Sequence, residues 1–239
     1  MSTAARAAMI AAATFALAGC SGSDDPDPTS QETTLVPSGD CPGESDAVAA
    51  ARRGSAQAAD IDGDGAADAV YIAKDPAAEP SCRTFVVVDT GDVTYAANAS
   101  VLGDRQVRKT AIFRLIQLGG SDGAEIVFSA NGTEPESFAV YKLFTFDDGE
   151  LRPIAGPYRD VVDGPYGHPV GAGCASDGRL VISEASGSDP HRQRTVDRRF
   201  FTLNGDSLEP SGEMTRRIGS GRSLTAAWPE FRRPLFGRC

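Results

Sequence analysis

The sequence predicts an all-β domain, and three observations carry that expectation. From Cys41 onward the apolar residues fall in short runs rich in Val, Ile, Phe and Tyr, types that favour pleated, partly buried backbone. The runs are punctuated by Gly, Asp and Pro, with Asp147-Asp148-Gly149 and Asn204-Gly205 marking hairpin turns. Acid-and-glycine loops also recur ahead of strands, headed by Asp64, Asp122 and Asp177 at spacings of 58 and then 55 residues.

Taken in order, strands are expected at Ala69–Ala73, Thr84–Asp89, Ala111–Leu118, Glu125–Ser129, Phe138–Phe146, Arg179–Ser183 and Arg199–Leu203. Val140, Lys142, Phe144 and Phe146 illustrate the mixed alternation of the longest run. Only Ser45–Arg53 reads as a helix. The recurring loops group these elements into units: DIDGDGAADAVYI then RTFVVVDTGD, LGGSDGAEIVFS then FAVYKLFTFDDGELRPI, and a weaker ASDGRLVISEA then RRFFTLNGDSLEP. Each unit runs acidic-glycine loop, strand, variable insert, strand, tight turn. A long period of strand-only units predicts propeller-like blades or stacked β-meanders, with three units recognisable. Closed propellers usually have four or more blades, so either the terminal segments build another or the ring is incomplete.

Composition narrows the class further. The chain has 239 residues, 41% of them apolar, which excludes wholesale disorder. Its net charge of −10 lacks the basic face that phosphates require, so no nucleic-acid partner is expected. The basic residues are almost all Arg, with Lys only at 74, 109 and 142. At the N-terminus, Arg6 precedes a short apolar run, Ala8 to Ala16, followed by Leu17-Ala18-Gly19-Cys20. The run is about half the ~20 residues of a membrane span, so it reads as a signal peptide over residues 1–19. Its end resembles the bacterial lipobox, which implies lipidation of Cys20 and an anchor in the cell membrane at its extracytoplasmic face. Residues 21–39 are polar, acidic and Pro-bearing, so 20–40 is expected to be a lipidated Cys and flexible tether, with the β domain over 41–239.

Four cysteines remain, Cys41, Cys82, Cys174 and Cys239, and an even count in an exported chain implies disulfides. Three pairings are open. The local pairs Cys41–Cys82 and Cys174–Cys239 are preferred, each stapling one segment, and the alternative is a long-range pairing that closes the whole domain. No CxxC spacing exists, and His168 and His191 complete no zinc pattern.

The sharpest chemistry is Asp60-Ile61-Asp62-Gly63-Asp64-Gly65-Ala66-Ala67-Asp68. Alternating carboxylates in a tight loop suit a hard cation, because calcium takes about 6–8 oxygens. Gly65 permits a sharp turn, and Ala66 could offer its carbonyl. Without a cation, four like charges in so short a loop would repel. An EF-hand or dockerin-type loop would need an acid where Tyr71 stands; the acid is instead Asp68, just before a strand. In this the stretch resembles the FG-GAP repeats of integrin α-subunit propellers and the related VCBS repeats, as found in actinobacterial lipoproteins. The resemblance implies one Ca²⁺ caged by Asp60, Asp62, Asp64 and Asp68, in a structural role. The second unit keeps only Asp122 and Glu125, and the third only Asp177.

Enzyme signals are thin. Gly119-Gly120-Ser121-Asp122-Gly123 satisfies G-x-S-x-G, but a nucleophile elbow needs a helix after the serine and AEIVF follows. Arg192, Arg194, Arg198 and Arg199 could clamp an acidic ligand or simply offset the acidic remainder. Trp228–Phe231 with Pro234, Leu235 and Phe236 is apolar enough to pack the C-terminus onto the strands. The expected function is a lipid-anchored, calcium-binding surface module that holds a cell-wall glycan or a surface protein. The alternative is an envelope hydrolase or lyase using a loop His or an acid pair.

Overall fold

Three sheets lie one upon another, each built on an antiparallel meander of four strands. The computed structural model describes residues 34–39, 41–51, 55–101, 107–132, 139–155, 161–163, 170–186, 194–219, 224–232, 235–236 and 239. The first sheet holds β1 (Thr34–Val36), β2 (Gln57–Ala59), β3 (Asp68–Lys74), β4 (Thr84–Asp89) and β5 (Val93–Asn98), in the order β1-β5-β4-β3-β2. β1 joins β5 in parallel, the one parallel pair among the described strands. The second sheet holds β6 (Val107–Ile116), β7 (Glu125–Gly132), β8 (Ala139–Asp147), β9 (Glu150–Pro153) and β10 (Val161–Asp163). There β9 and β10 both pair with β8, one at each end of it. The third is β11 (Val170–Cys174), β12 (Leu180–Ser186), β13 (Arg194–Asn204) and β14 (Ser207–Ile218), in sequence order. None of the three closes on itself.

The middle sheet is buried on both faces. Val70, Val86, Val88 and Ala97 of the first sheet meet Ile126, Phe128, Val140 and Phe144 of the second. Val127, Tyr141 and Leu143, on the other face of the second, meet Leu180, Ile182, Phe201 and Leu203 of the third. The alternation is plain in β4, where Val86 and Val88 face inward while Phe85 and Val87 face an outer cluster. Each fully buried Phe of this kind contributes about 1.5–3 kcal/mol, and Phe85, Phe128, Phe144, Phe201 and Phe236 are all sealed.

Short helical segments cover the two outer faces. Helix α1 (Glu44–Ala50) lays Ala47 and Val48 against Tyr71, Phe85 and Val87. The C-terminal segment, α2 (Leu224–Ala227) and a 3-10 turn at Pro229–Phe231, covers Ala185, Val196 and Ile218 of the third sheet. Each cover is tied to the body by a disulfide, Cys41–Cys82 at one end and Cys174–Cys239 at the other, with Cα separations of 5.5 and 4.8 Å. These are the local pairs preferred from the sequence.

Several expectations move. All seven strands read from the sequence exist, but β6 starts and ends earlier than Ala111–Leu118, and β13 is far longer than Arg199–Leu203. The helix expected over Ser45–Arg53 is Glu44–Ala50, and Ala51 is already extended. The domain does not begin at Cys41: β1 lies inside the stretch read as tether. Glu44 explains why, since its buried carboxylate accepts from the Ser38 amide at 2.8 Å and the Ser38 hydroxyl at 2.6 Å, clamping the incoming chain. Both hairpin turns are present. Asp148 and Gly149 have φ of 50° and 77°, the pattern of a type I′ turn. The second turn centres one residue later than read, on Gly205-Asp206, because Asn204 pairs with Ser207.

Candidate metal centre

In the first two sheets a loop of eight residues joins the first two strands of the meander: 60–67 between Ala59 and Asp68, and 117–124 between Ile116 and Glu125. The third sheet spans the same step with five, 175–179 between Cys174 and Leu180. The three loops line up along one end of the stack. Ala124 donates to the Asp60 carbonyl at 2.8 Å and Gly119 to the Gly178 carbonyl at 2.8 Å, so the second loop is bonded to both neighbours.

This ladder corrects the repeat register. The acids closing the loops are Asp68 and Glu125, 57 residues apart, and each does the same job seven residues back in the chain. Asp68 accepts from the Ile61 amide at 2.7 Å, and Glu125 from the Leu118 amide at 2.7 Å, with Ile61 and Leu118 both in the core. Asp122 is therefore the counterpart of Gly65, not of Asp64.

Within the first loop every carboxylate turns back on the chain. Asp60 accepts from the Gly63 and Gly65 amides at 2.8 and 3.0 Å, Asp62 from Asp64 at 3.1 Å, and Asp64 from Ala66 at 2.6 Å. Positive φ at Gly63 and Gly65, 80° and 87°, allows these tight turns. Asp60, Asp62 and Asp68 each bring an oxygen within 4.8 Å of the others. Two oxygens on one calcium at about 2.3–2.6 Å each can stand no more than about 5 Å apart, so the triad fits a hard-cation sphere. Its all-carboxylate donor set suits a hard divalent ion and not a soft one. Asp64 is exposed and outside the triad, and Ala66 is exposed beside it. Of the five residues expected from the sequence, the carboxylates of Asp60, Asp62 and Asp68 are the ones that converge.

Burial pushes the Asp68 carboxyl above its ordinary value, and the Asp62 and Asp64 charges push it further. Glu125, fully buried, is pushed up to about 7 by burial, and its Oε1 has no hydrogen-bond partner among the described residues. Ser121 does not sit in a nucleophile elbow: strand β7 follows it, and its hydroxyl lies within hydrogen-bond reach of the Leu118 and Gly123 carbonyls at 3.2 and 3.0 Å. Cys20, His168, His191, Arg192 and Pro234 lie outside the described residues. Among the described residues no helix is long and apolar enough to cross a membrane. Comparison with protein-family models, with curated proteins and with solved structures finds no significant match to this chain.

Proposed function

We propose that this chain is a calcium-binding β-repeat protein of the FG-GAP/VCBS type, exported and anchored through lipidated Cys20 at the extracytoplasmic face of the cell membrane. There it acts as a binding module for a cell-wall glycan or a surface protein. The observation that carries this reading is the convergence of Asp60, Asp62 and Asp68 in a loop that ends at a strand, with Asp68 buried. The blade-like part of the reading draws support from three meanders with their first loops aligned at one end. The ion would hold that end of the stack together and neutralise carboxylates that otherwise repel.

A binding role is favoured over an envelope hydrolase by the state of the other carboxylates facing a cavity. Asp177 is held below its ordinary value by the Arg179 guanidinium, which bonds it at 2.7 Å, so it is a poor general acid. Glu230 is likewise engaged, by Arg198.

Calorimetric titration of the protein with Ca²⁺, alongside a thermal melt, tests the reading. A single site is expected with Kd of about 10⁻⁴–10⁻³ M, the range of extracellular modules. At tenfold excess over Kd it should stabilise the fold by about 1.4 kcal/mol. The variant Asp60→Asn/Asp62→Asn should lose both heat and shift. Absence of heat and of any melting shift up to about 10 mM Ca²⁺, well above that range, overturns the calcium site.

A further inference from the structure

The cover of the third sheet holds a second built site. Most of that seam is apolar, with Val196, Ile218 and Phe231 packed together beside Leu224 and Trp228. Yet two charges are sunk next to it. Glu230 is 6% exposed, and its Oε1 accepts from the Ser183 hydroxyl at 2.7 Å and from Arg198 Nε at 2.6 Å. The Arg198 guanidinium lies over two rings, 5.0 Å from the centre of Phe200 and 4.5 Å from that of Trp228. With its faces against aromatics and Nε committed, Arg198 has only its terminal N–H groups to offer. Among the described residues these groups have no acceptor, and Glu230 Oε2 has no donor.

Both residues line a cavity of about 510 Å³, whose walls include Gly173, Asp177, Arg179 and Phe200. Glycine in β11 lets the cover lie close beside the cavity: a Cβ at 171 would stand 3.0 Å from the Glu230 backbone, and one at 173 would be in ordinary contact with the Glu230 Cβ at 3.5 Å. Fastening the cover does not require the charge pair. Apolar contacts and the Cys174–Cys239 bond already do that, and a buried ion pair is often no more stabilising than apolar residues in its place. What the pair adds is a guanidinium held between two rings, with its four terminal N–H donors left without an acceptor among the described residues. Such an arm is organised in advance for a carboxylate.

We propose that this cavity binds a hydroxy-carboxylate, the chemistry of a uronic acid. The ligand carboxylate takes the terminal N–H groups of Arg198, and a neighbouring hydroxyl donates to Glu230 Oε2. The wall carries the carboxylates of Asp177 and Glu230 beside the guanidinium groups of Arg179 and Arg198. Arg179 is bonded to Asp177 and to the Ser211 carbonyl, and it contributes charge without giving up those partners. This inference rests on the chain being a binding module and names its ligand class; it does not rest on calcium.

The test is calorimetric titration of the full-length protein with D-glucuronate, with D-glucose and acetate as comparisons. Glucuronate should bind, glucose should not, and acetate should bind more weakly. Arg198→Gln should weaken glucuronate by about tenfold or more, the cost of losing a charged hydrogen-bond partner. Arg179→Gln, a change at the cavity wall, should weaken it less, and it decides the matter should Arg198→Gln fail to fold. Arg199→Gln, on the opposite face of β13 and paired with Glu184 at 2.7 Å, should leave affinity unchanged. Glucose binding as well as glucuronate, or full affinity in both Arg179→Gln and folded Arg198→Gln, overturns the proposal. Calcium binding with no glucuronate heat removes this cavity alone, whereas loss of both removes the binding module.

Discussion

The loops 60–67 and 117–124 have the same length and the same anchors, yet their interiors have opposite polarity. Each buries an apolar residue at its second position, Ile61 or Leu118, and each closes on a buried acid that accepts that residue's amide. At the first position they diverge. Asp60 accepts backbone amides from Gly63 and Gly65, whereas Gln117 donates to the carbonyls of Ser121 and Gly123 at 3.3 and 2.8 Å. One loop gathers carboxylates around its turn and the other fills its turn with an amide side chain. The closing acid is thus a structural device common to both, and what sets the proposed metal site apart is what the second loop lacks, Asp60 and Asp62 beside Asp68.

The largest expected effect lies in the seam between the two loops. A methyl group on Gly123 would collide with the Ile61 carbonyl, which is backbone and cannot yield. Gly123→Ala should therefore cost about 4 kcal/mol in denaturant unfolding, at the upper end for point changes. Gly65→Ala, at positive φ but with nothing within 4 Å, should cost only about 1 kcal/mol of backbone strain. Equal costs would mean that the loops do not touch as described.

Glu125 sharpens the comparison next. Its folded-state value of about 7 lies above the ordinary 4.5, so between those values the folded chain binds the extra proton. The associated stability is complete at the acid end and is lost as pH rises through about 7, a total of about 3 kcal/mol. Unfolding measured from pH 5 to 8 should show that decline. Glu125→Gln keeps an acceptor for Leu118 but cannot ionise, and it should flatten the curve and exceed the wild type at pH 8. Parallel curves for the two proteins would show that the carboxyl is not the titrating group.

The smallest effect separates the first loop's own carboxylates. Asp62→Ala should abolish the calcium-dependent melting shift of about 1.4 kcal/mol at tenfold excess over Kd, while Asp64→Ala should retain it, because Asp64 stands outside the triad. Loss of the shift in both would mean that the loop rearranges to enlist Asp64 when the ion binds.

Much of the fold was legible because burial writes itself into sequence. β4 is sealed along its whole length and carries the apolar run Phe85-Val86-Val87-Val88 between Thr84 and Asp89. β7 and β8 pack both faces of the middle sheet and are comparably apolar. Three of the strands that escaped leave little apolar trace. β14 is an edge strand, mostly exposed, with Pro210 and Gly212 at a bulge opposite Phe200 and Phe201. β11 is Gly-Ala-Gly because the C-terminal cover lies across it. β1 is three residues long and is held by hydrogen bonds to β5 and by the Glu44 clamp. The repeat was visible too, but its register was read from the most conspicuous acids, and the buried ones that set the ladder differ in type, Asp68 against Glu125.

By itself, then, the sequence determined the all-β class, the three-unit order and the one loop dense in carboxylates, and it favoured the local disulfide pairs without deciding them. These rest on local causes: residue pattern, turn chemistry and short-range spacing. Only the tertiary structure decided that the units stack with helical covers at both ends, that Asp64 falls outside the triad, and that Arg198 and Glu230 meet across 32 residues of chain. Each of these depends on which faces come together, and the contact between faces is set by packing between segments far apart in the chain.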